Sequence, residues 1–237
     1  AGLGAEIDMI VTDTPGVCDT NANAFAFAAA YLDKPFFQLD MPPDLTGERS
    51  NEYHRADYTA LISFLEQHSG KRLDLERLRE KLIEVQKQDE MIAELEELAR
   101  MVPNPLPVVY NFMVYASRFL FAGMPECTRT LESLLALARQ NAAEGKSGIS
   151  GGAERLRSYF CYIDHYVQNL KLWQMLDANG ICYQGNILSR SWASNAPHVR
   201  EFGTQEAAYT LDTANLDGLI DTMAMLNDTM SKHRLSG

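Results

Sequence analysis

The chain has 237 residues, 46% of them apolar, enough for one large domain or two small ones with real cores. Its formal charge is −11 and no Lys/Arg cluster exceeds two residues, so nucleic acid and membrane surfaces are poor partners. No apolar run approaches the ~20 residues of a membrane-spanning helix; the richest, 108–122, carries Arg118.

The four cysteines, Cys18, Cys127, Cys161 and Cys182, lie far apart without compact ligand spacing. That distribution fits a reducing, cytoplasmic setting better than a disulfide framework. The sequence starts at Ala1 and enters a strand-like run within a few residues, so a processed or truncated start is expected.

In chain order, Ile7 to Thr12 reads as a buried strand, followed by the turn-rich Asp13-Thr14-Pro15-Gly16-Val17-Cys18-Asp19. The Ala- and Phe-rich run from Thr20 to Leu32 reads as a helix with Asp19 or Thr20 as N-cap. A second strand follows at 35–39. Strand, helix, strand is the unit of a parallel sheet, and ligands gather where such strands end. Cys18 sits in one of those loops.

From Ser50 to Gly145 the apolar period becomes helical. One helix stops at Gly70. Asp74 caps a long one whose stripe runs Leu75, Leu78, Leu82, Val85, Ile92, Leu95, Ala99 and Val102. Asp89 interrupts that stripe and reads as an edge where the helix meets water. A Pro-rich segment at 103–107 ends the helix, an aromatic-rich helix closes at Gly123, and Pro125 opens another. Gly145 to Gly152 reads as a flexible joint and a domain boundary. Strands at 156–162 and 181–184 flank a helix from Val167 to Asn179, and a last helix spans about 215–233. These readings divide the chain into 1–46, 47–145 and 146–237.

Two glycine signals carry no nucleotide chemistry. Gly2-Leu3-Gly4 precedes a strand instead of following one. Gly145-Lys146-Ser147 resembles a P-loop end, but Gln140 stands where the first glycine belongs. Most of the five histidines are expected at the surface. His165, just past a strand end, is the candidate proton donor or substrate contact. Cys161 and Cys182 fall inside strands, where cysteine behaves as a small hydrophobe. Cys127 lies in a helix's first turn beside Glu126, with no basic partner evident in its vicinity. Cys18, in a Pro/Gly loop at the sheet's ligand edge, is either a ligand or nucleophile, or a plain turn cysteine.

Thr14-Pro15-Gly16-Val17-Cys18-Asp19, a helix, and then Lys34-Pro35-Phe36-Phe37-Gln38-Leu39-Asp40-Met41-Pro42 resemble a known pattern. It is the cluster-binding region of D-component subunits in the benzoyl-CoA reductase / 2-hydroxyacyl-CoA dehydratase family. Glu154-Arg155-Leu156-Arg157 opening a strand, then Gly180-Ile181-Cys182-Tyr183 and Trp192, resemble the family's second domain. The resemblance spans nearly the whole chain.

It implies two Rossmann-like parallel-sheet lobes joined by a helical middle segment, in a dimer of related subunits. It also implies a [4Fe–4S] cluster held by cysteines from separate loops, with Cys18 as the matching ligand. A separate ATP-dependent activator would deliver one electron at low potential to an acyl-CoA, through a ketyl radical. The outcome is ring reduction or loss of a hydroxyl. The remaining cysteines fall outside the family's ligand positions, so this chain supplies at most one ligand and reads as a fragment or a degenerate relative. The reading from another class is a non-catalytic α/β scaffold pairing with a cluster-bearing partner.

Overall fold

The computed structural model of the protein describes residues 6–14, 18–40, 48–160 and 170–186. Among them the fold is mixed α/β and mostly helical, with two parallel sheets of two strands each. They divide into two compact units, the first running to Leu78 and the second beginning at Arg79.

In the first unit, strand β1 (Ile10–Asp13), helix α1 (Asp19–Leu32) and strand β2 (Phe36–Leu39) form the expected unit. The strands pair in parallel, Ile10 opposite Phe36 through Asp13 opposite Leu39. β1 begins three residues later than its apolar run suggests, because the ladder starts where the Ile10 N–H donates to the Pro35 carbonyl at 2.9 Å. Pro35 has no N–H to return. The buried face of α1 is Ala22 and Ala29, small enough to let helix and sheet approach closely. Phe27 and Tyr31 on its other side are 72% and 78% exposed. Helix α2 (Glu48–Ser69) runs back along β2, with the Phe64 ring 5.4 Å from that of Phe37. Gly70 follows in the left-handed conformation at φ 67°, which glycine adopts without steric cost.

The long helix α3 (Leu75–Ala99), which lies in the second unit from Arg79 onward, contributes Ile92, Leu95 and Ala99 to a core there. They pack with residues of α4 (Tyr110–Phe121) and α5 (Pro125–Ala143), among them Val114, Leu131 and Leu135. The Asp74 carboxylate caps α3, accepting the Arg77 N–H at 3.0 Å. Val102, assigned to the stripe by spacing, lies past the helix end and is 81% exposed. Asp89 corrects a second expectation. It is no water-facing edge but a two-pronged partner of Arg118, Oδ1 at 2.8 Å from Nε and Oδ2 at 3.2 Å from Nη2. Only 13% of its side chain and 19% of the arginine's are exposed.

Gln88, next to Asp89, is buried and satisfied from three directions. Its Nε2 donates to the Met124 carbonyl at 3.1 Å and the Thr128 hydroxyl at 3.0 Å, while its Oε1 accepts the Gly123 N–H at 2.9 Å. This amide clamps the turn between α4 and α5 onto α3.

Strand β3 (Leu156–Phe160), helix α6 (Leu170–Ala178) and strand β4 (Ile181–Asn186) repeat the first pattern, again in parallel, with a bulge between Ser158 and Phe160. Trp173 and Tyr183 pack here edge to face at 4.9 Å with Val108, Ile149 and Leu176. Within the segment read as a flexible joint, Gly148 packs closely on the chain before α4. A Cβ on Gly148 would stand 2.1 Å from the Leu106 carbonyl carbon, and the Gly148 N–H donates to the Asn104 carbonyl at 2.8 Å. Only glycine admits that approach. The expected helix at 215–233 lies outside the described residues.

Candidate functional site

The carboxyl ends of β1 and β2 lie side by side: the Thr14 N–H donates to the Leu39 carbonyl at 3.1 Å, and the Gln38 amide donates to the Asp13 carbonyl at 3.2 Å. The chain next presents Cys18, which proves to be the N-cap of α1, one residue ahead of Asp19. Its backbone is extended, φ −151° and ψ 97°, and its carbonyl accepts the Ala22 N–H at 3.0 Å. The thiol makes no capping bond and is partly exposed. Cys18 therefore stands at the sheet's carboxyl edge and at a helix N-terminus, where first-turn amides lack intrahelical acceptors and negative charge is favoured.

The same edge holds an acidic network built by α2. The Asp40 N–H donates to the Asp57 carboxylate at 2.6 Å, and the Tyr53 hydroxyl donates to the Asp40 carboxylate. That hydrogen bond, added to the charge of Asp40, pushes the Tyr53 phenol above its ordinary range. Burial raises Tyr58, with Asp57 adding to the effect. His54, expected at the surface with most histidines, is buried against Tyr58, whereas His68 is exposed.

The other described thiols differ in kind from Cys18. Cys127 is fully buried, and desolvation pushes its thiol up despite the Ser117 hydroxyl and the Arg118 charge. Arg118 is the basic neighbour that its local sequence did not reveal. Cys182 is buried in β4, and desolvation together with the Glu154 carboxylate raises it. Both are poor thiolates: burial decides at each, and at Cys127 it outweighs the helix N-terminus that would favour the charge. Cys161, His165 and Trp192 lie outside the described residues.

Glu154 and Arg157 have a structural task in this chain. The Arg157 guanidinium donates to the Glu154 carboxylate at 2.6 Å, to the Arg100 carbonyl at 3.2 Å and to the Met101 carbonyl. Glu154 also accepts the Asn104 N–H at 2.5 Å. Two carbonyls of the turn just past α3 thereby find partners. Burial works to raise Glu154, but the Asn104 N–H and Arg157 hold it below the usual carboxylate range.

An open groove between α3 and α5 is crossed by Arg139–Glu94 at 2.6 Å and Lys87–Glu132 at 3.5 Å, which makes it a solvated, charge-paired face. Among the described residues no three His, Cys, Asp or Glu side chains group to hold a metal ion. No described helix is long and apolar enough to cross a membrane.

A parallel β–α–β unit in a mostly helical chain defines the class as mixed α/β, with a partly exposed cysteine at the sheet's carboxyl edge. The chain belongs to the 2-hydroxyglutaryl-CoA dehydratase D-component family, whose sequence model matches residues 2–229. A comparison with curated proteins finds no significant match. Membership makes the chain a component of a dehydratase-type enzyme acting on acyl-CoA.

Proposed function

We propose that this chain is the iron–sulfur subunit of a 2-hydroxyacyl-CoA dehydratase. The observation that carries the reading is the position of Cys18, a partly exposed N-cap thiol at the carboxyl edge of the β1–β2 sheet. A thiolate there fits as one ligand of a [4Fe–4S] cluster: the helix end favours its negative charge, and nearby amides can hydrogen-bond sulfur. The two buried, raised thiols do not fit that role. Other ligands must come from outside the described residues or from a related subunit paired with this one.

When bound, the cluster supplies one electron at low potential to the acyl thioester, delivered by an ATP-dependent activator. The net reaction removes water: the 2-hydroxyl leaves with a proton from the neighbouring carbon, and the electron is returned. His165, five positions past the end of β3, is our candidate proton donor or substrate contact. Each β–α–β unit is read as part of a Rossmann-like lobe, with 1–46 and 146–237 the lobes and 47–145 the helical middle. The setting is cytoplasmic and anaerobic, where thiols and cluster stay reduced.

The test is turnover by the protein as its gene encodes it, purified without oxygen with its partner subunit and given an activator, ATP and a reductant. Water loss from a 2-hydroxyacyl-CoA is the expected result. Reduction of benzoyl-CoA instead would move the chain to the ring-reducing branch. A protein without iron that turns over neither substrate would favour the scaffold reading.

A further inference from the structure

Asn179 is the only asparagine in the chain that a glycine follows. Glycine has no Cβ to shield its backbone nitrogen, which leaves that nitrogen open to the side-chain carbonyl carbon of the asparagine before it. The pair sits in the turn between α6 and β4, with Asn179 exposed and Gly180 buried.

The last turn of α6 restrains both partners. The Asn179 N–H donates to the Met175 carbonyl at 3.1 Å, and its side-chain Nδ2 donates to the same carbonyl at 2.8 Å. The side chain is thus turned back along the helix, away from Gly180. The Gly180 N–H donates to the Asp177 carbonyl at 3.0 Å. Asp177 is fixed in turn, its carboxylate accepting the Ser150 N–H at 2.9 Å.

Gly180 has little room to move. Its φ is 70°, and a Cβ on it would stand 2.4 Å from the Ala153 carbonyl oxygen. Its own carbonyl accepts the Arg155 N–H at 2.8 Å and the Leu156 N–H at 3.3 Å, which fastens the turn to the start of β3. Glycine is therefore required at this position, whatever it exposes in the residue ahead of it.

We infer that Asn179 is a deamidation site gated by the last turn of α6, and that its isoaspartate product cannot re-form this turn. The Gly180 nitrogen loses its proton to solvent and bonds to Asn179 Cγ. The Cγ–Nδ2 bond breaks, and Nδ2 leaves as ammonia, closing a cyclic imide. Water then opens the imide at either carbonyl, giving aspartate, or isoaspartate with the main chain routed through Cγ. Attack requires the hydrogen bonds of Nδ2 and of the Gly180 N–H to break first, so the reaction proceeds through local opening of the helix end. Isoaspartate lengthens the main chain by a methylene ahead of Gly180 and displaces it from its seat against Ala153 and β3. The modification holds open what fluctuation opens only briefly.

Peptide mapping by mass spectrometry tests the inference on the gene-encoded protein, aged at mildly alkaline pH. The aspartate and isoaspartate forms of the peptide spanning 179 and 180 are counted against peptides carrying Asn111 and Asn141. Conversion should run at least about tenfold more slowly in the folded chain than in the same chain unfolded in urea, the effect of two hydrogen bonds that must first break. In aged wild type, a share of the melting transition equal to the isoaspartate content should move to lower temperature. Asn179→Gln, whose longer side chain closes the imide far more slowly, should keep its transition through the same ageing. Asn179→Asp carries the aspartate product in an unlengthened chain and should melt close to wild type.

Equal rates in folded and unfolded chains would overturn the gating, and no conversion in either would remove the site. An isoaspartate form that melts with wild type would overturn the claim about the product. So would Asn179→Asp that melts as low as the isoaspartate form, since chain length would then not be the cause.

Discussion

Asp89 and Arg118 show what a single residue's spacing hides. On the helical stripe Asp89 looks like an edge, because its partner lies 29 positions away and on another helix. Burial pushes its carboxyl above the ordinary range, and Arg118 offsets only part of that. A carboxyl raised in the folded state holds its proton better there than in the unfolded chain. Its contribution is therefore fully present below the unfolded pKa and lost as pH rises through the folded one. Arg118→Met should cost about 3–5 kcal/mol at neutral pH by leaving a buried carboxylate unpaired, and less in acid, where Asp89 is protonated. Urea unfolding at two pH values checks both the size and the sign. Cys18 was legible for the opposite reason: a turn between strand and helix is a local pattern, misplaced by one residue only because Cys18 itself takes the N-cap. At His165 we expect His165→Ala to lower turnover about 10²–10⁴-fold with iron content unchanged, the effect of losing a proton-transfer group. Loss of iron in that variant would give the histidine a structural task instead.

At the level of elements, parallel pairing and the helical middle followed from apolar runs giving way to three- and four-residue periods. The clamp that fixes α4 and α5 on α3 did not, since Gln88 is polar and finds its partners 35 to 40 positions away. Gln88→Leu should cost about 1–3 kcal/mol by leaving the Gly123 N–H and the Met124 carbonyl without it. At the glycine-rich turn composition signals flexibility and says nothing about the backbone that Gly148 packs against. Gly148→Ala should destabilise by at least about 1–3 kcal/mol, since its methyl would overlap the Leu106 backbone. Gly151→Ala meets nothing within 4 Å and should stay within about 0.5 kcal/mol of wild type. Thermal melts of the pair separate a packed turn from a joint.

For the molecule as a whole, the described residues are mostly helical, so circular dichroism should report more helix than strand. Phe27 and Tyr31 on α1 and Phe119 and Leu120 on α4 are exposed, which agrees with a component that works with other subunits. Light scattering at micromolar concentration should find it associated; a strict monomer would count against that. The overall class was readable from the sequence because motifs survive over the whole chain. Substrate choice was not, since no motif in the chain specifies an acyl group. The central claim is that the dehydratase component holds its cluster through Cys18. The iron content of anaerobically purified protein, gene-encoded and paired with its partner, tests it most directly when wild type, Cys18→Ser and Cys182→Ser are measured side by side. We predict that Cys18→Ser loses iron and turnover while Cys182→Ser retains its iron; equal iron in all three would contradict the account.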